Sequence, residues 1–364
     1  MDSNRYCVIM AGGTSNSFWP VTREDRPKQF LNIVGTNRSF LRVTYDHFAQ
    51  IIPKENILVV TITRYGDLVR SQIPELPEEN LLLEPYSRNT APCMAYAAFT
   101  ILKRNPNAVM IASPTDQIIM DVAEFKKSVL DIMDYAEEQD ALVTLGIVPT
   151  KPATDFGYIQ IQRKKGSQEK DKPLKVKTFT EKPDIELAKV FCKSGEFYWN
   201  SGIFAWKASV IKEEMERFIP DVVAVFNGWE NCLGTDKERA FLEKTYADCH
   251  RISIDYGVME KTERAWLYPG NFVWYDIDSW ETLYNNLKKD SSGNVIFADN
   301  QLIANDFRNN MVMTTNSGKM YALKGLENYL IVDTGDVLMI CPKDDKQFRD
   351  LFSSLGMPDY EVFR

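Results

Sequence analysis

Two glycines, a lysine and a few aspartates carry the first chemical signal in this chain. The apolar run Tyr6-Cys7-Val8-Ile9-Met10 breaks into Ala11-Gly12-Gly13, and the basic segment Arg26-Pro27-Lys28-Gln29 follows. A short buried strand that ends in glycines lets backbone N–H groups approach an anion without interference from Cβ atoms. A lysine stiffened by the preceding proline supplies the compensating charge. The spacing excludes two other phosphate loops, because neither Gly-x-x-x-x-Gly-Lys-Ser/Thr nor Gly-x-Gly-x-x-Gly occurs there. Asp116 follows Val109-Met110-Ile111-Ala112 through Ser113-Pro114-Thr115, which sets a carboxylate at the carboxyl edge of a sheet, where open α/β folds bind ligands. Asp276 lies in Phe272-Val273-Trp274-Tyr275-Asp276-Ile277-Asp278-Ser279-Trp280, whose apolar flanks would hold it rigidly. Two such aspartates suit Mg²⁺, which takes oxygen ligands and is usually held by one or two carboxylates plus substrate phosphates. With Lys28 they make a phosphoryl- or nucleotidyl-transfer site that needs no covalent nucleophile.

Two further segments carry recognition chemistry. Glu84-Pro85-Tyr86-Ser87-Arg88-Asn89-Thr90-Ala91-Pro92 joins a strand to a helix, with Asn89 or Thr90 as the N-cap before Ala91, Met94, Ala95 and Ala98. Glu84 accepts hydrogen bonds, as the N1–H and amino edge of guanine requires. Glu181-Lys182-Pro183 and Tyr198-Trp199-Asn200-Ser201-Gly202 pair a carboxylate with an amide, which satisfies vicinal sugar hydroxyls, while Lys182 can neutralise a sugar phosphate. Plainer readings stay open at this point: a solvated loop acid at Asp116, a helix start at Asn89, and a surface ion pair at Glu181-Lys182.

The remaining composition narrows the chemistry. A net charge of −8 and the absence of a Lys/Arg block argue against nucleic acid or an acidic membrane surface as the main partner. The six cysteines are scattered without Cys-x-x-Cys spacing and read as reduced core residues. With only His47 and His250, a histidine zinc site or a Ser-His-Asp triad is improbable. The N-terminus lacks the pattern of a signal peptide and no apolar run approaches a membrane span, so a cytoplasmic location is expected.

The elements that must position these groups follow from hydrophobic period. Tyr6–Met10, Ile57–Thr61, Leu81–Leu83, Val109–Ala112 and Leu142–Leu145 fit buried strands. Phe40, Leu41, Tyr45, Phe48 and Ile52 recur at helical spacing, as do Phe125, Val129, Ile132, Met133 and Ala136 after the capping-box pattern Asp121-x-x-Glu124. This alternation predicts a doubly wound α/β layer. Phe156–Gln162 and Val176–Phe179 read as strands around a solvated hairpin tip at Arg163–Lys172. After Asp290-Ser291-Ser292-Gly293-Asn294 the pattern changes to apolar pulses at Ile296, Leu302, Met320, Leu326, Val332 and Leu338 on a six-residue register, consistent with a small left-handed β-helix or a plain β-appendage. Gln347, Phe348, Leu351, Phe352 and Leu355 suggest a closing helix. The predicted boundary near Lys289 divides a catalytic domain, 1–289, from a C-terminal piece, 290–364.

In this order the segments resemble the sugar-1-phosphate nucleotidylyltransferase family, in its branch of mannose-1-phosphate guanylyltransferases (GDP-mannose pyrophosphorylases), over nearly the whole chain. Met10-Ala11-Gly12-Gly13, Phe18-Trp19-Pro20 and Arg26-Pro27-Lys28-Gln29-Phe30 are similar to the family's nucleotide loop. Arg88-Asn89-Thr90-Ala91-Pro92, Pro114-Thr115-Asp116, Phe179-Thr180-Glu181-Lys182-Pro183, Trp199-Asn200-Ser201-Gly202 and Ser253-Ile254-Asp255-Tyr256-Gly257-Val258-Met259-Glu260 match the guanylyltransferase branch. The resemblance implies a Rossmann-like α/β nucleotidyltransferase domain with a small C-terminal left-handed β-helix-like domain. It implies an Mg²⁺-dependent transfer of GMP from GTP to mannose 1-phosphate, with Lys28, Asp116 and Asp276 catalytic and the two aspartates holding the metal. Ala11, Gly12, Gly13, Glu84, Arg88, Asn89 and Thr90 would bind the nucleotide, and Gly157, Glu181, Lys182 and Asn200 the sugar phosphate. The expected partners are these two substrates, a homodimer being the assembly allowed for. The phosphomannose isomerase extension of bifunctional members is absent, so a single activity is expected.

The chain departs from the family pattern in three places. The loop Gly-Gly-x-Gly-Thr-Arg becomes Gly12-Gly13-Thr14-Ser15-Asn16-Ser17, without its third glycine and its arginine. Asp278 stands where the family has glycine, and Asp155 replaces the first glycine before Phe156-Gly157. Two other functions stay within reach of these residues: a guanylyltransferase for another hexose or heptose 1-phosphate, and a catalytically impaired, nucleotide-sugar-binding regulatory paralogue.

Overall fold

The structure, a computed structural model, describes residues 2–14, 16–32, 38–162, 172–298, 302–315 and 318–363. Ser15 and most of the expected hairpin tip, 163–171, lie outside the described residues. The chain forms two compact units. The first comprises Met1–Gly13, Thr44–Thr115 and Ile119–Trp274, the second Thr14–Val43, Asp116–Ile118 and Tyr275–Arg364.

In chain order the first strands are β1 (Arg5–Met10), β2 (Ile57–Ile62), β3 (Leu81–Glu84), β4 (Val109–Pro114), β5 (Gln117–Ile119), β6 (Leu142–Ile147), β7 (Tyr158–Ile161), β8 (Leu174–Thr180), β9 (Phe197–Lys207), β10 (Ala265–Gly270) and β11 (Trp274–Asp276). The first unit is built on a nine-stranded sheet in the order β3-β2-β1-β4-β9-β6-β10-β8-β7. β1 runs parallel between β2 and β4, with Val8 opposite both Leu58 and Ala112. Covered on both faces, it reads as a continuous apolar run instead of an alternating one, and Cys7, Val8 and Ile9 are fully buried. β2 and β3 lie to one side of β1 and β4 to the other, so Gly12 and Gly13 emerge where the strand order reverses, the position at which doubly wound sheets bind ligands.

The predicted helices are present. The helix Val122–Gln139 is capped by Asp121, whose carboxylate accepts from the Glu124 N–H at 3.1 Å, and it buries Phe125, Val129, Ile132, Met133 and Ala136. The helix Thr90–Arg104 buries Ala91, Met94, Ala95 and Ala98 against the sheet, with Asn89 as its N-cap. No helix among the described residues is long and apolar enough to cross a membrane.

The second unit contains β12 (Val295–Phe297), β13 (Leu302–Arg308), β14 (Met311–Thr314), β15 (Tyr321–Glu327), β16 (Tyr329–Asp333) and β17 (Leu338–Pro342). They form a four-stranded sheet, β12-β14-β16-β17, and a parallel pair, β13-β15. These sheets stand where the β-helix-like domain is expected, and the six-residue register does not pick out the buried face. Of its positions Ile296, Met320 and Leu338 are exposed while Val332 is buried, and Val295, Met311, Leu330 and Met339, which lie off the register, are buried as well. The reason is local: strands alternate their faces with a period of two, so burial follows pairing register. Asparagines link successive strands, with the Asn294 side chain accepting from Asn310 N–H at 3.0 Å and that of Asn310 from Tyr329 N–H at 2.8 Å. The boundary expected near Lys289 falls inside this unit. Phe18, Trp19, Val21 and Phe40 share one core with Ile277, Trp280, Leu283, Met311 and Leu330, so segments far apart in sequence are bound by a common apolar cluster. The expected closing helix is Asp345–Ser353, capped by Asp344.

Candidate active site

Lys28 opens a short 3₁₀ turn, Lys28–Phe30, directly after Pro27, and all three residues of the turn are buried. Its Nζ lies 2.7 Å from Asp116 Oδ2 and donates to the Ile277 carbonyl at 3.2 Å. The Ile277 N–H in turn donates to the Asp116 carbonyl at 3.2 Å, so lysine, aspartate and the 276–278 segment clasp one another within the second unit. Burial disfavours the ammonium, but Asp116, Asp276 and Asp278 outweigh it and hold the Lys28 pKa above its ordinary value. Asp278, which stands in place of a glycine, therefore adds to the field on Lys28. The Asp116 carboxylate remains 29% exposed beside a lysine only 11% exposed. The Asp116 and Asp276 carboxylates are oxygen donors of the kind a hard divalent cation takes when phosphate oxygens complete its shell. Among the described residues no group of three or more His, Cys, Asp or Glu side chains forms an all-protein metal cage.

In the first unit the glycine loop starts from a pinned strand end. The Ala11 N–H donates to Val60 O at 2.8 Å, and Thr61 Oγ1 donates to Ala11 O at 2.9 Å. A Cβ built on Gly12 would stand 3.0 Å from Glu84 Oε2, so any larger residue there would crowd that carboxylate. A Cβ on Gly13 would meet nothing. Glu84 is only 4% exposed, and its Oε1 accepts from the Tyr246 hydroxyl at 3.0 Å. Burial raises its pKa to about 7, opposed by that hydrogen bond, so near neutrality the carboxyl can donate as well as accept.

The residues after Glu84 are tied to a distant segment. Arg88 Nε donates to Tyr246 O at 2.9 Å, and Thr90 Oγ1 accepts from Ile254 N–H at 2.8 Å. Asn89 adopts a positive φ of 71° while its side chain accepts from Thr90 N–H at 2.8 Å. These bonds lock the helix start onto the approach to a π-helical turn, Asp255–Met259.

That turn delivers Asp255 to Asn200. Asn200 Nδ2 donates to Asp255 Oδ1 at 2.7 Å, and its Oδ1 accepts from Gly202 N–H at 3.1 Å, which fixes the amide orientation. The Asn200 N–H donates to Gly157 O at 2.9 Å. A Cβ on Gly157 would fall 2.6 Å from Glu181 Oε2, so only glycine leaves that carboxylate in place. Burial raises the Glu181 pKa, assisted by Asp255 and Glu260 and opposed by Lys182. Burial also raises Asp255, against its bond from Asn200. Phe156, beside Gly157, packs edge-on to Trp199, beside Asn200, and to Trp274, at centroid distances of 5.0 and 5.6 Å.

The residues expected in a site thus gather in three groups: Lys28, Asp116 and Asp276; Gly12 and Glu84; and Gly157, Glu181 and Asn200. Arg88 and Thr90, expected on the nucleotide, make the protein contacts just described. Asp255 was part of a matching run without a role of its own, and Tyr246 carried no sequence signal at all.

The chain matches the Nucleotidyl transferase family over residues 6–293. It is 35% identical over 345 residues to the mannose-1-phosphate guanylyltransferase RfbM of Salmonella typhimurium, covering 93% of this chain and 70% of that one. It is 33% identical over 356 residues to the alginate biosynthesis protein AlgA of Pseudomonas putida, covering 93% and 69%. A crystal structure from Thermus thermophilus, described as a mannose-1-phosphate geranyltransferase, is similar with a TM-score of 0.85 at 29% identity, over 97% of this chain and 100% of that one.

Proposed function

The chain belongs to the nucleotidyl transferase family, and on that premise we propose that it is a guanylyltransferase, joining GTP to mannose 1-phosphate to give GDP-mannose and pyrophosphate. The observation that carries the chemistry is the buried Lys28, kept charged among Asp116, Asp276 and Asp278. A phosphate oxygen of mannose 1-phosphate forms a bond to the α-phosphorus of GTP while the bond to the α–β bridging oxygen breaks. The electron pair leaves with pyrophosphate. Lys28 neutralises charge on the phosphates, and the amides after Gly12 bind them, so the residues act through position and field without a covalent step. Asp116 and Asp276 would hold Mg²⁺, which when bound supplies further neutralisation of the triphosphate. Glu84 reads the donor edge of guanine. Glu181 and Asn200 hold the sugar hydroxyls, Asn200 being oriented by Asp255, and Lys182 meets the sugar phosphate.

Pyrophosphate release measured across GTP, ATP and UTP with mannose 1-phosphate and other sugar 1-phosphates tests this reading. GTP with mannose 1-phosphate is expected to be fastest. Comparable turnover with ATP would remove the role of Glu84, and GDP-mannose binding without turnover of any pair would replace the enzyme by a regulatory paralogue.

A further inference from the structure

The first unit holds a cavity of about 980 Å³ on the flank of β3, lined by none of the side chains given a part in the reaction. Its floor is apolar: the buried Leu81 and Leu82 and the half-buried Leu83 from β3, with the buried Tyr96, Leu233 and Leu242. Three consecutive residues of a strand can line one space only along the strand's edge, and β3 is the edge strand of the nine-stranded sheet. Addition of a further strand is blocked there. The Leu81 N–H is turned back onto Glu78 O, and the Tyr96 hydroxyl, which donates to Glu238, takes the backbone hydrogen bond from Leu83. The space is therefore shaped for a small molecule and not for an extended peptide.

The rim decides which kind. Its three cations are already committed: Lys103 Nζ donates to Leu233 O at 2.6 Å, Arg104 donates to Asn80 Oδ1 at 2.5 Å, and Arg239 pairs with Glu243 at 3.1 Å. Glu78 is matched by Arg70 at 2.5 Å. The rim carboxylates outside these pairs belong to Glu79, Asp236 and Glu238. We infer that this cavity binds an amphipathic organic cation, an amine or guanidine carried on an apolar body, whose charge meets Glu79, Asp236 and Glu238 while its body fills the leucine floor.

The wall of the cavity reaches the nucleotide residues. In the helix Glu238–Asp248, Leu242 lines the cavity, and Tyr246, one turn on, donates to Glu84 at 3.0 Å while its carbonyl accepts from Arg88 at 2.9 Å. A ligand that shifts this helix shifts the partner of Glu84, so occupancy and guanine-nucleotide affinity are coupled by one reciprocal factor. That consequence rests on the reading of Glu84 given above, whereas the binding itself does not.

Calorimetry on the full chain with 2-phenylethylamine and agmatine as probes, and with 2-phenylethanol and GMP as controls, tests the assignment. The amines are expected to bind, and the neutral alcohol about tenfold more weakly. The double variant Glu79→Gln with Asp236→Asn, at two exposed positions, should weaken amine binding about tenfold and leave the melting temperature and amine-free turnover unchanged. Equal affinity for the alcohol, GMP binding that the double variant alters, or folded protein that takes up neither amine would each overturn it. Amine binding that leaves the KM for GTP unmoved upholds the site and removes only the coupling, so failure of the site and failure of the Glu84 reading are distinguishable.

Discussion

Two acidic clusters in this molecule are built on opposite electrostatic plans. Around Lys28, three aspartates outweigh burial and keep an ammonium charged inside the second unit. Around Glu181, in the first unit, burial, Asp255 and Glu260 overcome the flanking Lys182, and the carboxyl is pushed toward its neutral form. Phosphates, with their charge and counter-ions, suit the first plan, in which a fixed charge is maintained. Hydroxyl groups, which donate and accept without charge, suit the second. The first cluster should therefore be broken by removing charge, and the second tuned by pH.

The largest effects are expected at Lys28, Asp116 and Asp276. Lys28→Met should lower kcat/KM for pyrophosphate release by about 10²–10³, the range seen when one preorganised donor to transition-state charge is lost. Glu181→Gln, which keeps an acceptor oxygen, should cost only about tenfold, mostly in the KM for the sugar phosphate. A larger loss from Glu181→Gln than from Lys28→Met would invert the comparison. Asp116→Ala and Asp276→Ala should each abolish Mg²⁺-dependent turnover with circular dichroism unchanged. If Asp276→Ala stays active while Asp278→Ala does not, Asp278 takes over the ligand role.

The contrast between these clusters was only partly legible in the sequence. Runs such as Val109–Ala112 gave the strands because burial on both faces selects apolar residues locally, and Asp121-x-x-Glu124 marked its helix because a cap acts within one turn. Lys28, Asp116 and Asp276 could be singled out by their flanks, and the structure brings them together. The bond from Asn200 to Asp255 and that from Tyr246 to Glu84 join distant segments and leave no local period to read. The same holds for the second unit, where Phe18 and Trp19 share a core with β14 and β16. The six-residue register misled because side-chain facing in β12 and β17 follows strand pairing.

An intermediate effect is expected in the pH dependence of stability. Glu84 titrates near 7 in the folded protein against an ordinary 4.5, so between these values the folded state holds more protons than the unfolded state. Stability is unaffected by this group below about 4.5 and falls as pH rises to about 7, by on the order of 3 kcal/mol in all. Glu181 and Asp255, both raised, act in the same direction. Glu84→Gln keeps an acceptor for Tyr246 and cannot ionise, so its melting temperature should exceed that of the parent at pH 8 and match it near pH 4.5. Parallel curves would show that the Glu84 carboxyl titrates alike in the folded and unfolded chain. The same variant should weaken GTP discrimination more than triphosphate binding, as read from KM values for GTP and ATP.

The smallest change expected concerns the loop that leads toward Lys28. Ser15 and Ser17 occupy the positions where the family pattern has glycine and arginine. An arginine at 17 would present a planar fork of donors to the triphosphate, and a glycine at 15 would widen the range of backbone conformations in which loop amides can turn toward it. The pair Ser15→Gly with Ser17→Arg should therefore raise kcat/KM by about tenfold, equivalent to about 1.4 kcal/mol of transition-state stabilisation. The gain is modest if Lys28 neutralises phosphate charge as proposed, since a second cation then adds to a field partly satisfied. If the comparison between the clusters is sound, the gain should survive in Glu181→Gln, whose proposed role is toward the sugar alone, and should grow in Lys28→Met, where the new arginine takes over part of the missing charge. If the double change instead slows an already fast enzyme, Asn16 and the hydroxyls are the loop's own solution for the phosphates, and charge at position 17 works against it.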